Sequence, residues 1–166
     1  VTDSVGDTAK LSDVANVYDA GVACGVANTF NGGQAFPNQV LVTLGSATGS
    51  ITLTYATGPN PDKFEVWIGG VKVADTGYHG SPTQVNPATG NTYQTDLSAY
   101  LAAHSLPDET ITQIPGPADV VDANTQYTNN PETLVITKST NDTTAVVKIY
   151  SPLDNTIWKF SLSCPA

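Results

Sequence analysis

The sequence predicts an all-β domain: an antiparallel β-sandwich of jelly-roll or Ig-like type, with about seven or eight short strands and one short helix. Three observations predict it. Apolar residues recur with a period of two from about residue 38 onward. Clusters of Gly, Pro, Asn and Asp separate these runs at short intervals. The 166 residues are 40% hydrophobic and only 13% charged, a composition that buries one core and does not describe a disordered chain.

Taken in order, residues 1–23 stand apart as an N-terminal arm or a short helix. Leu11, Val14 and Val17 or Tyr18 form a helical stripe behind Ser12, and an extended arm lying on another copy fits equally well. Residues 24–166 form the sandwich. Val40, Val42 and Leu44 alternate with polar partners, and Ile51, Leu53 and Tyr55 repeat the pattern beyond a turn at 45–49. Phe64, Val66 and Ile68 follow, and Gly69-Gly70 predicts a type I′ hairpin into Val71 and Val73. Thr95 and Asp96 cap a predicted helix carrying Leu97, Tyr100, Leu101 and His104 on one face, stopped by Pro107. Two long loops, at about 77–94 and 114–131, flank that helix, and loops of that length are expected to be functional or disordered. The last strands are marked by Leu134 and Ile136, then Ala145, Val147 and Ile149. In the final one Trp158, Phe160 and Leu162 face away from Ile157, Lys159 and Ser161.

Six lysines stand against fifteen acids, arginine is absent, and the net charge is -9. Nucleic-acid binding needs a basic footprint that this chain does not have. Insertion into a membrane is not expected, because no apolar run approaches the ~20 residues of a spanning helix. Cys24 and Cys164 are expected to form one disulfide tying an N-terminal strand to the last strand, which places the domain in an oxidising, extracellular setting. With no initiating Met and no signal-like segment, the chain reads as a processed form or an excised domain.

Candidate chemistry is sparse. Asp75-Thr76-Gly77 matches the turn of aspartic proteases, which pair two such aspartates. The segments that brace that turn are missing here, and an Asp capping a Gly turn is the simpler reading. A serine triad finds no Gly-x-Ser-x-Gly elbow, and His79 and His104 are the only histidines available as base. No enzyme is therefore expected. For metals, calcium is the cofactor considered: hairpin pairing through Gly69-Gly70 is expected to bring Asp62 and Asp75 to one end of the sheet as oxygen ligands, with Asp119 and Asp122 a weaker second pair. For ligands, Tyr78, Tyr93 and Tyr127 fall in or beside the long loops with His79, where exposed rings would form a platform for a cell-surface glycan. Trp67 and Trp158 are read as strand residues of the core or half-buried sheet.

Two stretches carry a resemblance. Thr52-Leu53-Thr54-Tyr55, Pro61-Asp62-Lys63-Phe64-Glu65-Val66, the Gly-Gly turn and Asp75-Thr76-Gly77-Tyr78 form the first. Tyr150-Ser151-Pro152-Leu153, continued by Thr156, Trp158, Phe160 and Ser163-Cys164-Pro165, form the second. Together they resemble small β-sandwich domains of secreted Bacteroidetes proteins and of virion proteins of bacteriophages infecting such hosts. The resemblance covers part of the chain and implies Asp62 and Asp75 as positions where such domains hold an ion. The expected function is a non-enzymatic structural or attachment domain, exposed on a virion or extracellular filament, that self-assembles as a homo-oligomer or larger assembly or binds a host surface. A secreted carbohydrate-binding module is the alternative, and an aspartic-type hydrolase using Asp75 a distant third.

Overall fold

The computed structural model describes residues 21–31, 34–116 and 122–166. Its strands are β1 (Val22–Ala23), β2 (Asn28–Asn31), β3 (Ala35–Thr43), β4 (Gly49–Ala56), β5 (Asp62–Ile68), β6 (Val71–Gly80), β7 (Thr112–Gln113), β8 (Glu132–Lys138), β9 (Thr144–Ser151) and β10 (Ile157–Leu162). Two helices, α1 (Tyr93–Ala103) and α2 (Ala123–Asn129), interrupt them. Six strands form one sheet in the order β1-β3-β9-β5-β6-β7, and four form the other in the order β2-β10-β4-β8. The long pairings are antiparallel; only the two-residue edge strands β1 and β7 pair in parallel.

The alternation read from the sequence decides which face each strand buries. Phe64, Val66 and Ile68 of β5 and Ala145, Val147 and Ile149 of β9 meet Ile51, Leu53 and Tyr55 of β4 and Trp158, Phe160 and Leu162 of β10 in one core between the sheets. Phe64 touches both Trp158 and Phe160 edge-on, with centroids 6.2 and 5.9 Å away, a preferred aromatic geometry. The β5–β6 turn is built by Gly69 and Gly70 at φ +58° and +77°, the positive values a type I′ turn requires.

Cys24 and Cys164 are bonded, with Cα atoms 5.0 Å apart. The same corner is stitched by backbone bonds to both sheets: Cys24 N donates to Thr43 O at 3.0 Å and Gly25 N to Leu162 O at 2.8 Å. Val22 and Ala23 pair with Val42 and Thr43, so the sandwich begins before residue 24. The rest of the expected arm or helix, residues 1–20, lies outside the described residues. Among the described residues ten strands stand where seven or eight are expected, because β1, β2 and β7 are too short to show a period. The expected helix is capped three residues earlier than Thr95, by Thr92, whose side chain accepts from Thr95 N. A second helix, α2, lies inside the expected 114–131 loop. Asp122 caps it, accepting from Thr125 N at 2.8 Å.

Candidate functional site

The outer face of the six-stranded sheet divides in two. Toward one end it is roofed by α1: Tyr78, Tyr93, Leu97, Leu101 and Ile111 form a second core, with Phe36, Tyr100 and Tyr150 packed against it. Toward the other end the face is open. There Trp67 of β5 faces outward, one step out of phase with the buried Val66 and Ile68. Gln39, Leu41, Val146 and Lys148 face the same way from β3 and β9. With Gly69, Gly70, Asp142 and Thr144 they line a groove of about 430 Å³.

Fixed contacts hold Trp67 in place. Its Nε1–H donates to Glu65 Oε1 at 2.9 Å, and the Lys148 ammonium lies 4.2 Å from the ring centroid, a cation–π distance. Glu65, nearly buried, also accepts from Lys72 Nζ at 3.3 Å and from the Tyr150 hydroxyl at 3.3 Å. Burial, together with the charge of Glu65, pushes Tyr150 up to about 12, so its hydroxyl keeps its proton and remains a donor. Among the described residues Lys63 and Lys72 are spent on carboxylates, whereas Lys148 pairs with none. At the far wall, Asp142 Oδ2 accepts from the Thr140 hydroxyl at 2.5 Å. The groove thus offers an aromatic face, an amide, a hydroxyl, an ammonium and a carboxylate within one concavity.

The residues singled out from the sequence lie elsewhere. Asp62 and Asp75 do not meet. In the β5–β6 ladder Asp62 is opposite His79, and Asp75 is opposite Glu65. They stand roughly 10 Å apart along the sheet at ~3.3 Å per residue. They also sit on opposite faces. Asp62 is 0% exposed between the sheets, where the Thr156 hydroxyl reaches both its oxygens; Asp75 is on the outer face, ion-paired with Lys72 at 3.0 Å. Burial pushes Asp62 up to about 8, the Ser151 and Thr156 hydroxyls pulling the other way. Partial burial also pushes Asp75 upward, but the Gly77 amide and Lys72 outweigh it and hold its carboxyl below the usual range. Among the described residues no three His, Cys, Asp or Glu side chains gather as a metal site, so the calcium expectation loses its geometric basis. Asp122 is engaged as the cap of α2, and Asp119 lies outside the described residues.

Asp75-Thr76-Gly77 is a β-bulge rather than a catalytic turn. Lys63 pairs with Tyr78 and Glu65 with Asp75, leaving Phe64 opposite both Thr76 and Gly77. The Thr76 hydroxyl accepts from Phe64 N at 2.9 Å and donates to Gly77 O at 2.7 Å, standing in for the missing ladder partner. Gly77 takes φ +69°, which favours glycine.

The tyrosines do not form a common platform. Tyr78, beneath α1, is 1% exposed, and Tyr93, the first residue of α1, is 6% exposed on the helix's inner side. Tyr127 lies across the molecule on the outer face of the four-stranded sheet, half-buried. Its hydroxyl donates to Ser161 Oγ at 2.7 Å, and Lys159 lies over its ring. Strand β6 runs on past the bulge to Gly80, which carries Tyr78 out of the expected loop and under the helix. His79 points into the sandwich and ties its sheets together. Its Nδ1 is 2.5 Å from Glu132 Oε1 of β8, and its Nε2 is 2.9 Å from Thr76 O. Both ring nitrogens thus lie against oxygen atoms of neighbouring strands. His104, at the end of α1, stacks on Tyr100 at 4.1 Å. Trp67, which the sequence predicts as a core or half-buried sheet residue, is half-buried at the centre of the open groove. Its phase relative to Phe64, Val66 and Ile68 is the signal that places it on the outer face.

No family profile and no curated protein matches the chain. Among solved structures, the surface-associated copper-binding protein CorA of Methylomicrobium album BG8 aligns at 10% identity and TM-score 0.43, over 88% of this chain and 98% of its own. The carbohydrate-binding module CsCBM6-3 of Clostridium stercorarium, solved with cellobiose, aligns at 13% identity and TM-score 0.34, over 87% and 98%. Neither is a bacteriophage protein. The class is defined by the fold: a disulfide-closed, two-sheet β-sandwich with an open groove on the outer face of its six-stranded sheet. No helix among the described residues is long and apolar enough to cross a membrane.

Proposed function

We propose that this is a non-catalytic binding domain of an extracellular protein, and that it takes a saccharide in the groove over Trp67. One observation carries the reading: an outward indole shares a single concavity with Gln39, Asp142, Thr144 and Lys148. A sugar ring presents aliphatic C–H groups on its faces and hydroxyls around its rim. An aromatic floor with polar groups at its edge suits that pattern, and a few placed polar groups in an apolar cleft are what orient small ligands. The disulfide fits the oxidising surroundings in which such ligands are met. An attachment role follows from the same groove, because a domain that holds a surface glycan holds its parent protein to that surface.

Tryptophan fluorescence, titrated with neutral and acidic oligosaccharides, tests this reading. Trp158 is 2% exposed in the core, so a saccharide-induced change reports on Trp67. The expected result is saturable binding that Trp67→Ala removes while leaving the melting temperature within a few degrees. The reading is overturned if no saccharide binds, or if Trp67→Ala binds as well as the parent.

A further inference from the structure

The two sheets have four outermost strands, and three are short: β1 and β7 span two residues each and β2 four. The fourth, β8, spans seven, Glu132-Thr133-Leu134-Val135-Ile136-Thr137-Lys138, and pairs only with β4 among the described residues. Natural edge strands of this length are usually guarded by a proline, a bulge or an inward-pointing charge. The two charges of β8, Glu132 and Lys138, turn inward at its ends, and the stretch between them, Thr133 to Thr137, has no proline, no charge and no register shift.

The hydrogen-bond phase shows which backbone groups are unpaired. Ser50 exchanges bonds with Ala166, Thr52 O accepts from Ser163 N, and Thr52 N donates to the Ser163 hydroxyl. These residues of β4 therefore turn their backbone groups away from β8. Their neighbours Ile51, Leu53 and Tyr55 face β8 and pair with Ile136, Leu134 and Glu132. By alternation, the N–H and C=O of Thr133, Val135 and Thr137 point to the open edge. The side chains of the same three residues are exposed, Val135 at 67%.

We infer that β8 is a self-recognition edge, pairing antiparallel with β8 of a second copy about a two-fold axis through Val135. In that register Val135 faces its own counterpart, and Thr133 faces Thr137 in both directions. All three residue pairs fall in the hydrogen-bonding phase, so every unpaired group of the segment is satisfied at once. Threonine pairs and a β-branched pair are favourable cross-strand neighbours. At the ends Glu132 comes opposite Lys138, so like charges do not face each other. A two-fold contact of this kind is closed: it gives a dimer with one continuous eight-stranded sheet and does not propagate into a filament. Each subunit's charge of -9 opposes association, so the dimer strengthens as salt is added.

Disulfide trapping reads out the register directly. No cysteine among the described residues is free, so an introduced thiol reports alone. A hydrogen-bonded antiparallel pair sets Cα atoms ~5.5 Å apart, within disulfide range. Val135→Cys is expected to cross-link to itself under mild oxidation. Thr133→Cys and Thr137→Cys, each alone, are expected to form no cross-link, and to cross-link only when mixed. In sedimentation the parent protein should show a concentration-dependent dimer. Val135→Pro, which removes a donor at the open edge without touching the β4 ladder, should sediment as a folded monomer. A parent monomeric at its highest soluble concentration in high salt overturns the inference. So does Thr133→Cys cross-linking to itself as readily as Val135→Cys, which would require a different register.

Discussion

The Thr156 hydroxyl lies 2.8 and 2.7 Å from the two carboxylate oxygens of Asp62, at a point between the sheets that solvent does not reach. No cation among the described residues accompanies that carboxyl, and burial raises its pKa from 3.8 to about 8. The native state therefore holds a proton between about pH 4 and 8 that the unfolded chain has released. The stability this proton contributes is complete below about pH 4 and is lost as pH rises through 8. For one proton the slope approaches about 1.4 kcal/mol per pH unit. Melting temperatures measured from pH 4 to 8 should fall more steeply for the parent than for Asp62→Asn. Parallel curves would show that Asp62 titrates alike in both states.

Asp96 carries the opposite sign. Burial alone would raise its pKa, but donors from Thr89, Asn91 and Asn86 outweigh that and hold it below the usual range. Those bonds, at 2.5, 2.9 and 2.8 Å, tie the loop at 82–91 to the first turn of α1. Their contribution is present above about pH 4 and fades as pH falls through the folded value. Asp96→Ala should make this loop a site of limited proteolysis at neutral pH while the sheet resists. A loop no more susceptible than that of the parent would remove Asp96 from its support.

Reduction of Cys24–Cys164 should lower the melting temperature without dissolving the sheet. A cross-link spanning 140 residues stabilises by up to ~5 kcal/mol on the chain-entropy argument. The core between the sheets is built from buried side chains, with Cys24 packed only against its margin. Loss of the far-ultraviolet β signal on reduction at 25 °C would show that the sandwich depends on the bridge.

Tyr78 and Trp67 should separate stability from binding. Tyr78 is buried beneath α1, and Tyr78→Ala should cost about 3–5 kcal/mol, in the range for large core aromatics. Any saccharide affinity of the protein that remains folded should persist. Trp67→Ala should do the reverse. If Tyr78→Ala lowers affinity without destabilising the fold, the ligand lies under the helix and not in the open groove.

Most of the core was legible because sandwich strands bury alternate residues, and Phe64, Val66 and Ile68 or Trp158, Phe160 and Leu162 announce their face by spacing alone. The sites were less legible for the same reason. Register decides which residues from different strands meet, and a one-residue bulge changes it. Two register shifts, one at Val73 and one at Thr76-Gly77, displace β6 by two positions in all, so His79 rather than Gly77 comes opposite Asp62, while Asp75 pairs with Glu65 three residues away. Alternation on the inner face also implies an outer face, and Trp67 was readable there beside Lys148 and Gln39. What alternation did not show is how much of that face α1 covers, so the buried Tyr78 and Tyr93 passed for loop residues.

The closing disulfide also has a mechanical consequence. Cys24 and Cys164 lie 140 positions apart along the chain, yet their Cα atoms are 5.0 Å apart. Tension entering the polypeptide ahead of Cys24 and leaving beyond Cys164 crosses a covalent bond and bypasses the strands between. Pulled through those two points, the oxidised domain transmits force as a short, inextensible link. The reduced domain must instead unzip β10 and β3 before it can pass the force on.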